Sequence, residues 1–376
     1  MTRLPHNGLS ERNGELSPVP RVAVGTGLVA LDVVIGANSK NWPHLWAGGT
    51  CGNVLTILKF LGWCSFPVAR VKNDTAGKIV RRDLKRLGVS VRFLGLKPHA
   101  STPVVVQRIR TRGSGIPSHS FSWACPGCGA RLPGYQPVAA GVVRRTTANL
   151  PIASVCFLDR VSRGAITLAE WFREHGAVVF FEPSAAGDPN LMKEALGLAH
   201  IVKYSHERSL ELSRSISNSR PLLEIETLGT DGLRYRSRLN TCRKANWQHL
   251  DPFEVQRAKD TAGAGDWCSA GIIDKLAVAG SATFGRVSAD CVDAALRYGQ
   301  ALAAWNCRFE GARGGMYNRD KATFLQEVDQ ILSKRSIGST IADRPPRRVQ
   351  HILKRLCPSC GGSSAADRHA ADNAKS

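Results

Sequence analysis

Short apolar runs of strand length alternate along this chain with longer stretches whose apolar positions return at helical spacing. Val22, Val24 and the run 28–35 read as strands, residues 50–60 as a helix ended by Gly62, and residues 75–87 as a second helix. Further on, 155–158, 178–181 and 201–204 read as strands, with helices over 165–175 and 191–198 in the intervals. Such alternation predicts an α/β fold: a central, mostly parallel sheet flanked by helices on both faces, with its site at the carboxyl ends of the strands. Residues 267–279 place Ala270, Ile272, Ile273, Leu276 and Ala277 so that one helical face is buried.

The pattern also sets the organisation. Residues 102–110 form a strong β run, 113–117 a turn and 119–123 another short run, whereas 134–147 reads as loop. Residues 1–19 are rich in Pro, Asn, Ser and Gly and read as a mobile leader. Order is expected over 20–332 as one domain with an insertion around 100–135. From 333 to 376 the chain becomes a basic tail rich in Arg, Pro and Ser, its last dozen residues expected to be disordered. A length of 376 suits one large α/β unit with an appendage.

Composition narrows the partners without choosing one. Hydrophobic residues make up 43% of the chain, enough for a sizeable core. No run approaches the roughly 18 apolar residues that would span a bilayer, and no basic-then-apolar segment opens the chain, so a cytoplasmic protein with no membrane partner is expected. Lys and Arg outnumber acids by 51 to 30, and the resulting +21 attracts nucleotides, phosphorylated compounds and nucleic acid alike. Part of that excess lies at Arg344, Arg347, Arg348, Lys354 and Arg355, where a solvated tail is favoured over a nucleic-acid arm. The 11 cysteines fit reduced thiols better than a disulfide framework.

One segment carries chemistry. Asp260-Thr261-Ala262-Gly263-Ala264-Gly265-Asp266 runs straight into the helical stretch. Small residues at a helix start let main-chain N–H groups turn toward an anion, where the macrodipole also favours negative charge. Asp266, at the mouth of that nest, can take the proton of an attacking hydroxyl while Gly263, Ala264 and Gly265 hold the charge that develops, as phosphoryl transfer to an alcohol requires. A tight turn with Asp266 as a first-turn acid is the plainer alternative.

The segment resembles the second signature of the ribokinase-like (PfkB) carbohydrate kinases, Asp-Thr-x-Gly-Ala-Gly-Asp, at every fixed position. Gly48-Gly49-Thr50-Cys51-Gly52-Asn53 is similar to the first signature. The segment 68–89, with Asp74, Gly77 and Leu87-Gly88-Val89, and Thr227-Leu228-Gly229-Thr230-Asp231-Gly232 resemble further landmarks in the same order, and Gly311-Ala312-Arg313-Gly314-Gly315 resembles the closing loop less closely. The resemblance covers about residues 20–330. It implies a ribokinase-like fold with a small β-lid from the 100–135 region, ATP with Mg²⁺, and a sugar or nucleoside substrate. It further implies Asp32, Gly48, Gly49 and Asn53 as substrate contacts, and Thr227, Gly229 and Gly232 on the nucleotide side. The pattern Gly25-Thr26-Gly27-Leu28-Val29-Ala30 also matches a dinucleotide fingerprint, but an extended apolar run follows it in place of a helix, so hydride transfer is set aside.

Two departures qualify the resemblance. Where the family carries Asn-x-x-Glu for the waters around Mg²⁺, this chain reads Ser205-His206-Glu207-Arg208, which either moves the metal role to Glu207 or weakens it; Glu182-Pro183-Ser184 stands in place of Asp-x-Asn. Arg160 or Arg163, just after a strand, can clamp a phosphate in a bidentate fork, Arg163 being slightly preferred.

Outside the resemblance stand two Cys-Pro-x-Cys-Gly knuckles, at Cys125 and Cys128 and at Cys357 and Cys360. A matched pair of such turns points to a tetrahedral structural Zn²⁺, with a redox pair, a disulfide and free thiols as alternatives. Their separation means that the site would tie the tail to the lid-side insertion, within one chain or across a homodimer through the lid. The rival to an enzyme is a catalytically altered kinase-like zinc protein that binds nucleic acid or regulates, drawing on the +21 charge and the changed 205–208 segment.

Overall fold

A computed structural model describes residues 9–12, 15–18, 20–36, 43–95, 101–111, 117–184, 187–217, 219–255, 258–334 and 350–361. Leu9–Arg12 (β1) and Glu15–Pro18 (β2) pair as an antiparallel hairpin, regular structure within the stretch read as a leader. The following strands are Val22–Thr26 (β3), Ala30–Ile35 (β4), His44–Gly48 (β5), Cys64–Val68 (β6), Val104–Thr111 (β7) and Pro117–Ser122 (β8). Val155–Leu158 (β9), Val178–Phe181 (β10), Ile201–Ser205 (β11), Leu223–Thr227 (β12), Leu233–Leu239 (β13) and Cys242–Leu250 (β14) complete the set.

The main sheet has eight strands in the order β14-β13-β12-β11-β10-β9-β3-β6. Pairs from β6 to β12 are parallel, and β13 and β14 are added antiparallel. Its central strands read as unbroken apolar runs because both faces are covered. Val155 and Phe157 of β9 join one core cluster while Cys156 and Leu158, pointing the other way, join the second. The α/β architecture expected from the alternation is therefore observed.

A separate four-stranded sheet, β5-β4-β7-β8, pairs the first β run with the 102–122 region. The expected strand boundaries in this insertion hold to within a few residues; positions 112–116 at its turn lie outside the described residues.

One expectation is corrected. Ala140–Thr147, read as loop, is a helix with Val142, Val143, Thr146 and Thr147 buried, packed against the helix Arg163–Glu174. Contacts so close that a Cβ on Gly164 would lie 1.9 Å from the Val138 carbonyl oxygen hold this segment down. Tertiary burial overrides the weak helix propensity of its Val and Thr residues.

In the tail, Gln350–Leu356 is a helix that exposes Lys354 and Arg355 and buries Leu356. Arg344, Arg347, Arg348 and the last dozen residues lie outside the described residues. Among the described residues no helix is long and apolar enough to cross a membrane.

Candidate active site

Gly263 begins the helix Ala264–Leu276 from a left-handed conformation, φ 76°, and a Cβ there would meet the Ala312 carbonyl oxygen at 2.3 Å. Only glycine accepts both conditions. Ala264 N–H turns back to Thr261 O at 3.2 Å, and Trp267 N–H starts the helical ladder on Gly263 O at 2.9 Å. The N–H groups of Gly265 and Asp266 lie between them in the first turn, where a helix has no acceptors of its own. Of the predicted nest, the Ala264 amide is thus committed to the turn itself.

Asp266 is buried, and its Oδ2 accepts from Asn53 Nδ2 at 2.7 Å. Burial, reinforced by the Glu182 carboxylate, raises its pKa to about 8, while the Asn53 hydrogen bond and Lys203 act in the opposite direction. A carboxyl group tuned to that range can exchange a proton near neutral pH.

Asn53 comes from the helix Thr50–Phe60, which the Gly48-Gly49 turn launches from β5. Asp32 of β4 faces that turn: a Cβ on Gly48 would lie 1.8 Å from Asp32 Oδ2, so the glycine is what makes room for the carboxylate. Burial raises Asp32 to about 7, against Arg313 and the Gly49 N–H, which pull it down. The four predicted substrate-side residues Asp32, Gly48, Gly49 and Asn53 are therefore brought together, and Asn53 reaches the predicted base.

Arg313 lies in the Gly311–Gly315 loop, where the local sequence points to no role for it. Its Nε donates to Asn53 Oδ1 at 3.0 Å, and its Nη2 donates to Ala47 O and to Asp83 Oδ2, the latter at 3.2 Å. Asp83 also accepts from Tyr317 OH at 2.8 Å. Nothing in the local sequence announces this chain of contacts, since Asn53 and Arg313 are 260 residues apart.

Behind the helix start, Lys203 Nζ lies 2.5 Å from Glu182 Oε1, and Ser269 donates to Glu182 Oε2. Burial disfavours the Lys203 ammonium, but the attraction of Glu182 carries the net shift upward. The open side of Gly265 faces this pair, with Lys203 Nζ 3.6 Å from where its Cβ would be. Glu182 is thus the partner of a buried cation, which the sequence could not show without the Lys203 pairing.

At the end of β9, Asp159 accepts from Leu28 N at 2.9 Å and from Arg160 Nη1 at 3.0 Å. Arg160 also lies over the Tyr135 ring, 5.9 Å from its centroid. Arg163, the preferred clamp, is instead exposed and paired with Glu194 at 2.5 and 3.1 Å. It is the first residue of a helix capped by Ser162, which turns its side chain outward. Arg160 is the one held beside buried Asp159.

The four-stranded sheet touches the 260–266 segment at Asp260. Gln107 of β7 donates to Asp260 Oδ2, Gly311 N–H donates to the same oxygen at 2.9 Å, and His119 Nδ1 of β8 lies 3.4 Å from Oδ1 and 3.1 Å from Thr261 Oγ1. On the opposite flank, Thr227 ends β12, and a single 3₁₀ turn from Gly229 to Asp231 leads to Gly232 and β13. Glu207 lies exposed in the first turn of the helix His206–Ser217, and Arg208 reaches back to the Pro183 carbonyl.

The two knuckles, 229 to 235 residues apart, converge within one chain. Cys125 Sγ is 3.8 Å from Cys360 Sγ, Cys128 Sγ is 3.6 Å from Cys357 Sγ, and all four sulfurs lie within 4.8 Å of one another. Sulfurs held about 2.3 Å from a tetrahedral Zn²⁺ would be about 3.8 Å apart, whereas a disulfide brings them to about 2.05 Å. Among the described residues this is the one group of three or more His, Cys, Asp or Glu that gathers in this way.

No protein-family model matches the chain. A fructokinase of Escherichia coli is 25% identical over 298 residues, covering 70% of this chain and 90% of that relative. Among solved structures, a fructokinase with bound ATP from Xylella fastidiosa superposes with a TM-score of 0.62 at 17% identity, covering 83% of this chain and 98% of the other. Aminoimidazole riboside kinase from Salmonella enterica, solved with aminoimidazole riboside and an ATP analog, gives 0.60 at 19% identity, covering 82% and 100%. The nucleoside kinase of Burkholderia thailandensis in complex with inosine gives 0.59 at 15% identity, covering 84% and 100%. The chain has the ribokinase-like α/β fold.

Proposed function

We propose that this protein is an ATP-dependent phosphotransferase that phosphorylates an alcohol group of a sugar, sugar derivative or nucleoside. The observation that carries the reading is Asp266: a buried carboxylate in the first turn of the helix that Gly263 begins, held by Asn53. Asp32, Gly48, Gly49 and Asn53 receive the acceptor. Asp266 takes the proton of its hydroxyl as the oxygen attacks the terminal phosphoryl group of ATP. The helix start at Gly263–Gly265 and the Lys203 ammonium steady the negative charge on that group. Thr227, Gly229 and Gly232 border the nucleotide. The lid excludes water, which would otherwise take the phosphoryl group, and its Gln107 and His119 contacts with the catalytic loop support that role.

Mg²⁺ bound with the nucleotide would supply further charge neutralisation. Glu207 is the protein group assigned to it, through the waters around the ion. The four cysteines suit a structural zinc, since four thiolates leave no open position for water.

A screen of neutral sugars and nucleosides for ADP release tests the reading. Turnover with at least one acceptor is expected. No ADP from any polyol, together with salt-dependent binding to DNA or RNA, would favour the regulatory alternative.

A further inference from the structure

Val104, Val105, Val106 and Ile109 give β7 a buried apolar run, yet Gln107, 1% exposed, stands among them. A buried amide in such a strand is costly unless it is matched, and Gln107 is matched across the fold: its Nε2 donates to Asp260 Oδ2. Asp260 is itself 1% exposed, and it gathers donors from both sides of the turn that starts the helix Ala264–Leu276. Its Oδ1 accepts from Ala262 N at 3.0 Å, just before Gly263, and its Oδ2 accepts from Gly311 N at 2.9 Å. Gly311 leads into Ala312, whose carbonyl oxygen stands against Gly263 and accepts from Trp267 Nε1 at 3.0 Å. One carboxylate therefore shapes the nest, and one of its three hydrogen bonds among the described residues comes from the four-stranded sheet.

We propose that Gln107 is a positioning residue: through Asp260 it ties the placement of the nest N–H groups to the position of the four-stranded sheet, and so favours phosphoryl transfer to an alcohol over transfer to water. This rests on the kinase reading above. With the sheet seated, Asp260 has its full set of donors and the turn before Gly263 is fixed. Without the Gln107 bond a buried carboxylate oxygen is short of a donor, and it recovers one by drawing water in or by pulling on Ala262 and Gly311. Either response moves the first-turn N–H groups, and an error of about 1 Å at a reacting centre costs about a hundredfold in rate. His119 of β8 strengthens the same joint, its Nδ1 lying 3.1 Å from Thr261 Oγ1 and 3.4 Å from Asp260 Oδ1. The nest thus takes its working shape only with the sheet in place, the arrangement that also keeps water out.

The test measures ADP release by wild type and Gln107→Leu, once with saturating acceptor and once with none, the acceptor being whichever of fructose, ribose and inosine gives most ADP. ADP formed without acceptor reports hydrolysis, in which water takes the phosphoryl group and inorganic phosphate appears in equal amount. Leu fills nearly the same space and removes the donor. A residue that served folding alone would lower both rates by one factor, the loss of active protein, whereas a positioning residue changes their ratio. The expected result is a transfer-to-hydrolysis ratio reduced about tenfold to a hundredfold, with the acceptor KM within about threefold. A melting curve checks folding; if Gln107→Leu does not fold, Gln107→Asn keeps the amide but withdraws it by one carbon, and should shift the ratio in the same direction. A wild type that releases no ADP with any of these acceptors overturns the kinase reading and this proposal with it. An active wild type with a folded variant of unchanged ratio overturns Gln107 alone.

Discussion

Asn53 Nδ2 lies 2.7 Å from Asp266 Oδ2, which joins the first turns of two helices 213 residues apart in the chain. The helix after the Gly48-Gly49 turn and the helix after Gly263 are thereby held at one point. Because the contact is a donor to a carboxylate, it favours the ionised form that burial disfavours. The shape of the site and the basicity of Asp266 share this contact.

Asp266→Asn is nearly isosteric and keeps a group for Asn53 to meet. It should leave the fold and nucleotide binding intact while turnover falls by about 10²–10⁴, the range for loss of a positioned acid or base. Steady-state ADP release and nucleotide titration of the same preparation measure the two halves. Near-normal turnover in the variant would refute the assignment of the base.

The rate should rise with pH until Asp266 is ionised. With a pKa of about 8 in the free protein, kcat/KM at pH 6.5 should be well below its plateau. Glu182 is one cause of the upward shift, so Glu182→Gln should move the acid limb to lower pH. A pH profile that is flat from 6 to 9, or one that Glu182→Gln leaves in place, would contradict this origin for the tuning.

How far the site could be read from sequence varies with the distance over which its contacts act. Asp266 and its glycines, and Gly48-Gly49-Asn53, are each local: a turn and the start of a helix, written in consecutive residues. The strands β9, β10 and β11 were equally legible, because burial on both faces leaves runs of Val, Phe and Ile. What sequence could not supply were partnerships across the fold. Arg160 and Arg163 look equivalent in the chain, and only Asp159 and Glu194 separate them. Arg313, Asp83 and Lys203 acquire roles from residues brought beside them by the topology. The helix Ala140–Thr147 was missed because its stability comes from burial against a neighbouring helix and little from propensity.

Burying Asp32 and Asp266 has a thermodynamic consequence with a definite sign. Both folded pKa values, about 7 and about 8, lie above the ordinary 3.8, so between those limits the folded chain holds more protons than the unfolded one. Stability without ligands should therefore decline as pH rises from about 4 to 8. Asp266→Asn removes one of these penalties. It should melt a few degrees above wild type at pH 8 and with little difference at pH 4. Equal melting temperatures at pH 8 would mean that Asp266 is ionised at little cost.

The four thiols make the last prediction, and its force comes from distance. Cys125 and Cys128 stand on a loop that leaves β8 and returns to Tyr135 beside Arg160, whereas Cys357 and Cys360 follow the helix Gln350–Leu356. Leu356 and Cys357 are buried in the main core cluster, but this helix is short, and chains of that length are marginal without further anchoring. A zinc bound by thiolates from both segments would supply that anchoring and fix the loop that carries Cys125 and Cys128. Freshly purified protein should contain about one zinc per chain, the number that four ligands satisfy. Cys125→Ser with Cys357→Ser should abolish it and make the segment 350–361 sensitive to protease. Stoichiometric zinc retained by the double variant would place the metal elsewhere, and purified protein without zinc would leave the cluster as reduced thiols.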